Sequence, residues 1–127
     1  MGKILILDDD PEYADLLRLA YEAEGFHVVH LPEPPDEFID IVAEEQPDFI
    51  HSDVNMPGID GFDAMKMIVG DPRTQHVRFY FVSTIGQREF VRTGLSLGAL
   101  QYFVKSQTSP KELAQWVKSV VESDARR

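Results

Sequence analysis

The sequence predicts a doubly wound α/β fold built on a five-stranded parallel sheet, and three observations predict it. Short apolar runs recur five times, each followed by a stretch with helical periodicity. The first run, Ile4-Leu5-Ile6-Leu7, is apolar at every position, as expected of a strand covered on both faces. No repeat, low-complexity tract or linker interrupts the alternation over 127 residues, a length that suits one domain spanning 1–127.

Taken in order, Ile4 to Leu7 reads as the first strand. Asp10-Pro11 starts the first helix, with Asp as N-cap and Pro at the first helical position. Its apolar stripe is Tyr13, Leu16, Leu17, Ala20 and Tyr21, and Gly25 ends it. Phe26 to Leu31 is the second strand, and Pro32, Pro34 and Pro35 stiffen the loop that follows. Asp36 to Glu45 is the second helix, with Phe38, Ile41 and Val42 facing inward. Asp48 to Asp53 is the third strand and Gly61 to Val69 the third helix, buried through Phe62, Met65 and Ile68. Val77 to Ser83 is the fourth strand, and Gln87 to Leu97 the fourth and least regular helix. Leu100 to Val104 is the fifth strand. The last helix starts near Ser109-Pro110 and carries Leu113, Trp116, Val117, Val120 and Val121.

Composition narrows the function. With 12 Lys and Arg against 22 Asp and Glu, the formal net charge is -10, which argues against direct nucleic-acid binding. No cysteine is present, which excludes disulfides, thiolate metal sites and a cysteine nucleophile. The apolar run near the N-terminus is too short for a signal peptide or a membrane span, so the expectation is a soluble, cytoplasmic protein without membrane contact.

In a doubly wound sheet the working crevice lies beyond the carboxyl ends of the strands. The residues there are Asp8-Asp9, Asp53, Ser83-Thr84 and Lys105. Three carboxylates sharing a crevice repel, by roughly 4 kcal/mol for a pair about 4 Å apart at an effective dielectric near 20. They call for a cation. An all-oxygen donor set suits a hard ion that keeps several waters, hence Mg²⁺, or Mn²⁺ in its place. With Lys105 as counter-charge and a carboxylate nucleophile, Asp53, the set describes a phosphoryl-transfer site. The hydroxyl of Ser83 or Thr84 could hydrogen-bond the bound phosphoryl group.

The motifs ILILDDDP, FIHSDVNMPGIDG, FYFVST and GALQYFVKS, in that order and each at a strand end, resemble the receiver domain of two-component response regulators. The likeness covers essentially the whole chain and implies the flavodoxin-like (βα)5 receiver fold. It further implies that Asp8 and Asp9 are the metal-binding pair and that Asp53 is both phosphoacceptor and metal ligand. Asn55 would lend its backbone carbonyl to the metal, Lys105 would contact the phosphoryl group, and Tyr102 would be the switch aromatic. Ser83, 30 residues after Asp53 and 22 before Lys105, fits the family's hydroxyl position, with Thr84 as the fallback. The implied partners are a histidine kinase or histidine phosphotransfer protein as donor and an output partner or fused effector domain. Phosphorylation would change the face made by the fourth helix, fifth strand and last helix, and could promote a dimer there. Such a domain catalyses only its own phosphorylation and dephosphorylation, and is no enzyme in the usual sense.

The chain departs from the family pattern in places. Ser106 stands where a proline usually follows the lysine, and a cis bond before a non-proline costs about 3–4 kcal/mol, so a trans Lys105–Ser106 peptide or a mobile loop is expected. Thr84 is bulkier than the usual small residue, and His51 and Ser52 are more polar than the usual strand residues. The four histidines, His27, His30, His51 and His76, lack ligand spacing and read as structural or surface residues. Two other readings remain. A degenerate receiver would bind a partner without phosphorylation. A phosphohydrolase of the haloacid dehalogenase type could place its signature at Asp8 and Asp10, but position 12 is Glu and no cap domain exists.

Overall fold

A computed structural model describes residues 2–125. Five strands, β1 (Gly2–Leu7), β2 (Phe26–Leu31), β3 (Phe49–Ser52), β4 (Arg78–Ser83) and β5 (Tyr102–Val104), form one parallel sheet in the order β2-β1-β3-β4-β5. Five helices alternate with them: α1 (Pro11–Ala23), α2 (Phe38–Glu45), α3 (Gly61–Val69), α4 (Arg88–Ser96) and α5 (Pro110–Ala125). A single 3₁₀ turn at Lys105–Gln107 follows β5. The chain winds from β1 outward to β2, then crosses to β3, so the switch in strand order lies between β1 and β3.

Local chemistry sets the element ends. Asp10 caps α1 by accepting from the backbone N–H groups of Glu12 and Tyr13, and Pro11 fills the first helical position. Gly25, at φ 92°, ends α1 in the left-handed region. Asp60 caps α3 through the Asp63 N–H. At α5, Ser109 and Glu112 exchange side-chain-to-backbone bonds in a reciprocal capping box.

The two sheet faces carry separate cores. One is built from Leu5, Leu7, Ile50, Phe79 and Phe81 under α2, α3 and α4, through Phe38, Val42, Ala64, Met65 and Ile68. The other joins Ile4, Ile6, Phe49, Tyr80 and Val82 to α1 and α5 through Leu17, Tyr21, Leu113, Ala114 and Val117. Each inner strand contributes to both, which is why β1 and β4 read as unbroken apolar runs. Some boundaries are tighter than the sequence suggests: α2 starts at Phe38, and β5 begins at Tyr102, although the Leu100 N–H and the Gln101 carbonyl already bond to Phe79 and Phe81 of β4. Leu16, expected inward, is 56% exposed, and α1 is buried through Ala14, Leu17 and Tyr21 instead.

The α1/α5 core holds a polar chain. The Tyr21 hydroxyl lies 2.7 Å from His51 Nδ1 and 2.6 Å from the Tyr80 hydroxyl. All three residues are fully buried. With the Tyr80 O–H donating to Tyr21 and the Tyr21 O–H donating to Nδ1, both phenolic protons find acceptors; the opposite direction strands the Tyr80 proton. Burial, with the Lys105 charge adding to it, pulls the His51 imidazole down to about 3, so the ring is neutral. The chain ties α1 to β3 and β4. Tyr21→Phe removes the shared hydroxyl and leaves two buried groups unpaired, so it is expected to cost about 1–3 kcal/mol. Urea unfolding followed by circular dichroism measures it, and an unchanged midpoint would mean that the chain contributes nothing to stability.

Candidate functional site

The site is assembled from strand ends. Asp53 leaves β3 with its N–H donating to the Leu7 carbonyl at 2.8 Å, and Asp8 leaves β1 with its N–H donating to the Leu31 carbonyl at 3.3 Å. The switch in strand order thus sets these two carboxylates side by side. Asp8, Asp9 and Asp53 each bring a carboxylate oxygen within 4.8 Å of the other two. Asp8 is fully buried and Asp53 is 8% exposed, while Asp9 opens to solvent.

Both buried carboxylates are held in the same way. One oxygen of Asp8 accepts from the Asp10 N–H at 2.9 Å, and one oxygen of Asp53 accepts from the Val54 N–H at 2.7 Å. The second oxygen of each faces Lys105, whose Nζ lies 2.8 Å from Asp8 Oδ2 and 3.2 Å from Asp53 Oδ2. Lys105 reaches them from the turn after β5, with its peptide to Ser106 trans as expected. Its ammonium also sits 4.5 Å from the centre of the Tyr13 ring, a cation–π contact from the first turn of α1.

These neighbours set the ionisation. Burial pushes the Asp53 carboxyl up; Lys105 opposes this, Asp8 reinforces it, and the net direction is upward. Burial acts to lower the Lys105 pKa, but the hydrogen bond to Asp8 and the charges of Asp53 and Asp8 outweigh it, so the ammonium is retained. Burial likewise takes the Tyr13 phenol up to about 12, with Lys105 pulling the other way. Three carboxylates against one ammonium leave two negative charges on oxygen donors. A hard divalent cation matches that charge and donor set, and the residues therefore fit a metal.

The remaining predicted residues surround this centre. Ser83 ends β4 and is fully buried, with its Oγ accepting from the Ile85 N–H at 3.1 Å, which leaves its own proton free to donate. Thr84 is exposed. Tyr102 is 7% exposed and donates its phenolic proton to the Ile85 carbonyl at 2.6 Å. Burial raises its pKa, a hydrogen bond with the Ser83 hydroxyl opposes this, and the Asp53 charge adds to it. Asn55 is exposed, two residues beyond Asp53 in the loop that turns at Gly58 with φ 77°.

Several contributors were not legible in the sequence. His30, on β2, lies with Nε2 2.7 Å from the Asp8 carbonyl and so supports the acid from behind. Ser52 donates to the Asp53 carbonyl at 2.7 Å. Gly61 packs so closely that a Cβ there would lie 2.1 Å from the Asp53 carbonyl oxygen, so any larger residue must move the Asp53 backbone. Ile85 links Ser83 to Tyr102 through its own peptide groups. Ser52 and Gly61 left a trace, the first as a strand residue more polar than usual and the second as the start of the third helix.

Comparison with known proteins places this arrangement. The family model for the response regulator receiver domain matches residues 4–118. The chain is 32% identical over 104 residues to sporulation initiation phosphotransferase F of Bacillus subtilis, covering 81% of each chain. It is 31% identical to protein PilH of Pseudomonas aeruginosa, covering 83% of this chain and 86% of that one. Among solved structures, the signal receiver domain of a DNA-binding response regulator from Colwellia psychrerythraea superposes with a TM-score of 0.83 at 27% identity, over 96% and 99% of the two chains. Other curated relatives are longer, and the chain spans 16% and 43% of two of them. The fold and site define a receiver of two-component signalling. The chain belongs to the response regulator receiver domain family.

Because Asp53 is held with its pKa above the ordinary carboxylate value, its ionised form weakens the fold. Its favourable contribution exists below the unfolded carboxylate range and is lost as pH rises through the folded value. Asp53→Asn is therefore expected to raise Tm at neutral pH in EDTA. The gap should close as pH falls through the carboxylate range. Calorimetry across pH checks this, and a lower Tm for the variant at neutral pH would contradict it.

Proposed function

We propose that this chain, as one receiver domain over 1–127, accepts a phosphoryl group on Asp53 in an Mg²⁺-dependent reaction and thereby changes a partner-binding surface. The observation that carries the reading is the Lys105 ammonium set between Asp8 and Asp53, with Asp9 completing a cluster of three carboxylates. Asp8, Asp9, Asp53 and the Asn55 carbonyl would hold the ion, which supplies charge neutralisation for the transferring oxygens.

The chain's own residues do the rest. Asp53 attacks phosphorus with a carboxylate oxygen, forming the P–O bond of an acyl phosphate. The P–N bond to the donor imidazole, or the P–O bond to acetate in a small donor, breaks with its electron pair. Lys105 follows the negative charge as it passes from the Asp53 carboxylate to the phosphoryl oxygens, while its bond to Asp8 keeps the ammonium in place. Ser83 then donates its free proton to the phosphoryl group. Because Ser83 Oγ accepts from Ile85 and the Ile85 carbonyl accepts from Tyr102, a movement of the hydroxyl reaches the switch aromatic through one residue. Two conformations biased in this way make a population-shift switch.

Receiver domains work with kinases or phosphotransfer proteins and with output domains. Here a histidine kinase or histidine phosphotransfer protein is the proposed donor. Helix α1 begins just after the acid pair and exposes Leu16 and Leu19 at 56% and 69%, an apolar surface on which such a donor can rest. The output passes to a separate partner, a fused effector or a second copy. No helix among the described residues is long and apolar enough to cross a membrane.

Incubation with acetyl phosphate and Mg²⁺ should add one phosphoryl group to the intact mass. EDTA or Asp53→Asn should abolish the adduct, and Lys105→Met should reduce its formation rate by about 100-fold, the scale of losing one electrostatic contact in the transition state. An equal adduct on the Asp53→Asn protein would refute the assignment.

A further inference from the structure

Three contacts hold the Lys105 ammonium, and the proposed reaction treats them differently. Its Nζ lies 2.8 Å from Asp8 Oδ2, 3.2 Å from Asp53 Oδ2 and 4.5 Å from the centre of the Tyr13 ring. Attack on phosphorus removes the charge of the Asp53 carboxylate. A cation in the acid cluster draws on the Asp8 carboxylate that also holds the lysine, because a hard ion takes oxygen ligands. The face of the Tyr13 ring takes part in neither event, so it is the contact that the reaction leaves unchanged.

The ring is placed by the first turn of α1. Asp10 caps the helix through the N–H groups of Glu12 and Tyr13, Pro11 fills the first helical position, and the Tyr13 ring packs on the α1/α5 core. One short segment, DDDPEY, thus supplies the acid pair and aims an aromatic face at the lysine. The phenol end does not hold the side chain: its hydroxyl is buried and has no hydrogen-bond partner among the described residues. A buried hydroxyl without a partner is a cost that phenylalanine avoids, so the ring is the part in use. The Lys105 side chain is only 16% exposed, and a cation over a ring is attracted most strongly when it is out of water. Its charge rides on a flexible four-carbon stem, which needs a fixed contact to keep it in the crevice.

We infer that Tyr13 is a positioning residue for phosphoryl transfer: its ring face keeps the Lys105 ammonium in the crevice while both carboxylate contacts change. It acts only through the lysine. The role in transfer rests on the function proposed above, whereas the contact itself exists in the unphosphorylated chain and is measured there.

The test uses the full chain labelled with ¹³C at the ε carbons of its five lysines, the signal lost in Lys105→Met being that of Lys105. Protons over an aromatic face are shifted upfield. The Lys105 ε protons should therefore resonate upfield of the other four in the parent and in Tyr13→Phe, and fall back among them in Tyr13→Leu. Mg²⁺ with beryllofluoride, a phosphoryl mimic, should leave the upfield shift of the parent in place. A parent without that shift, or one that loses it when the mimic binds, would overturn the inference, and neither result depends on a position-13 variant folding. With acetyl phosphate and Mg²⁺, Tyr13→Phe should match the parent rate and Tyr13→Leu should be about tenfold slower, the scale of one desolvated cation–π contact. A folded Tyr13→Leu protein as fast as the parent, or a Tyr13→Phe protein as slow as Tyr13→Leu, would also overturn it. If the parent itself gains no phosphoryl group, the Asp53 reading fails, while the donor-free lysine shifts still decide whether the ring holds the ammonium.

Discussion

Everything at the crevice depends on one ammonium placed between two carboxylates. Parallel strand order brings Asp8 and Asp53 to adjacent strand ends, where each has one oxygen held by a backbone N–H and the other directed at Lys105. Without the lysine the pair would hold unbalanced charge in a largely buried place, where repulsion between carboxylates is several-fold stronger than in water. With it, Asp9 still adds a third carboxylate, so the centre stays short of positive charge. That shortage is what suits the site to a divalent cation and to an incoming phosphoryl group.

The surrounding structure serves to hold these groups still while one of them reacts. His30 and Ser52 bond to the carbonyls of Asp8 and Asp53, and Gly61 allows α3 to start against the Asp53 backbone. Beneath them, the Tyr80–Tyr21–His51 chain pins α1 to β3 and β4 on the side from which Tyr13 meets Lys105. On the other side the support is looser. Ser83, Ile85 and Tyr102 are joined by single hydrogen bonds. Rigid acids facing a movable hydroxyl and ring are the division expected of a switch.

Much of this was legible in the sequence because it depends on local pattern. Alternating apolar runs gave the strand count and the parallel sheet, and Asp10-Pro11 and Ser109-Pro110 marked where the first and last helices begin. The acids, Ser83 and Lys105 were visible because each follows an apolar run at a strand end. What stayed hidden depends on contacts between distant segments. Leu16 shares the helical spacing of the buried stripe, yet α1 is rotated so that Ala14 is buried and Leu16 faces solvent. Tyr13 reads as a stripe residue and turns out to support Lys105, and His51 reads as an isolated polar residue until Tyr21 and Tyr80 are brought beside it.

The central claim is that Asp53, and no other carboxylate, becomes an acyl phosphate. Borohydride reduces an acyl phosphate to the alcohol, converting the aspartate that carried it to homoserine. After treatment with acetyl phosphate and Mg²⁺, peptide mapping should find homoserine at position 53 alone, and none when EDTA replaces the metal. Homoserine at Asp8 or Asp9, or its absence from position 53, would contradict the account.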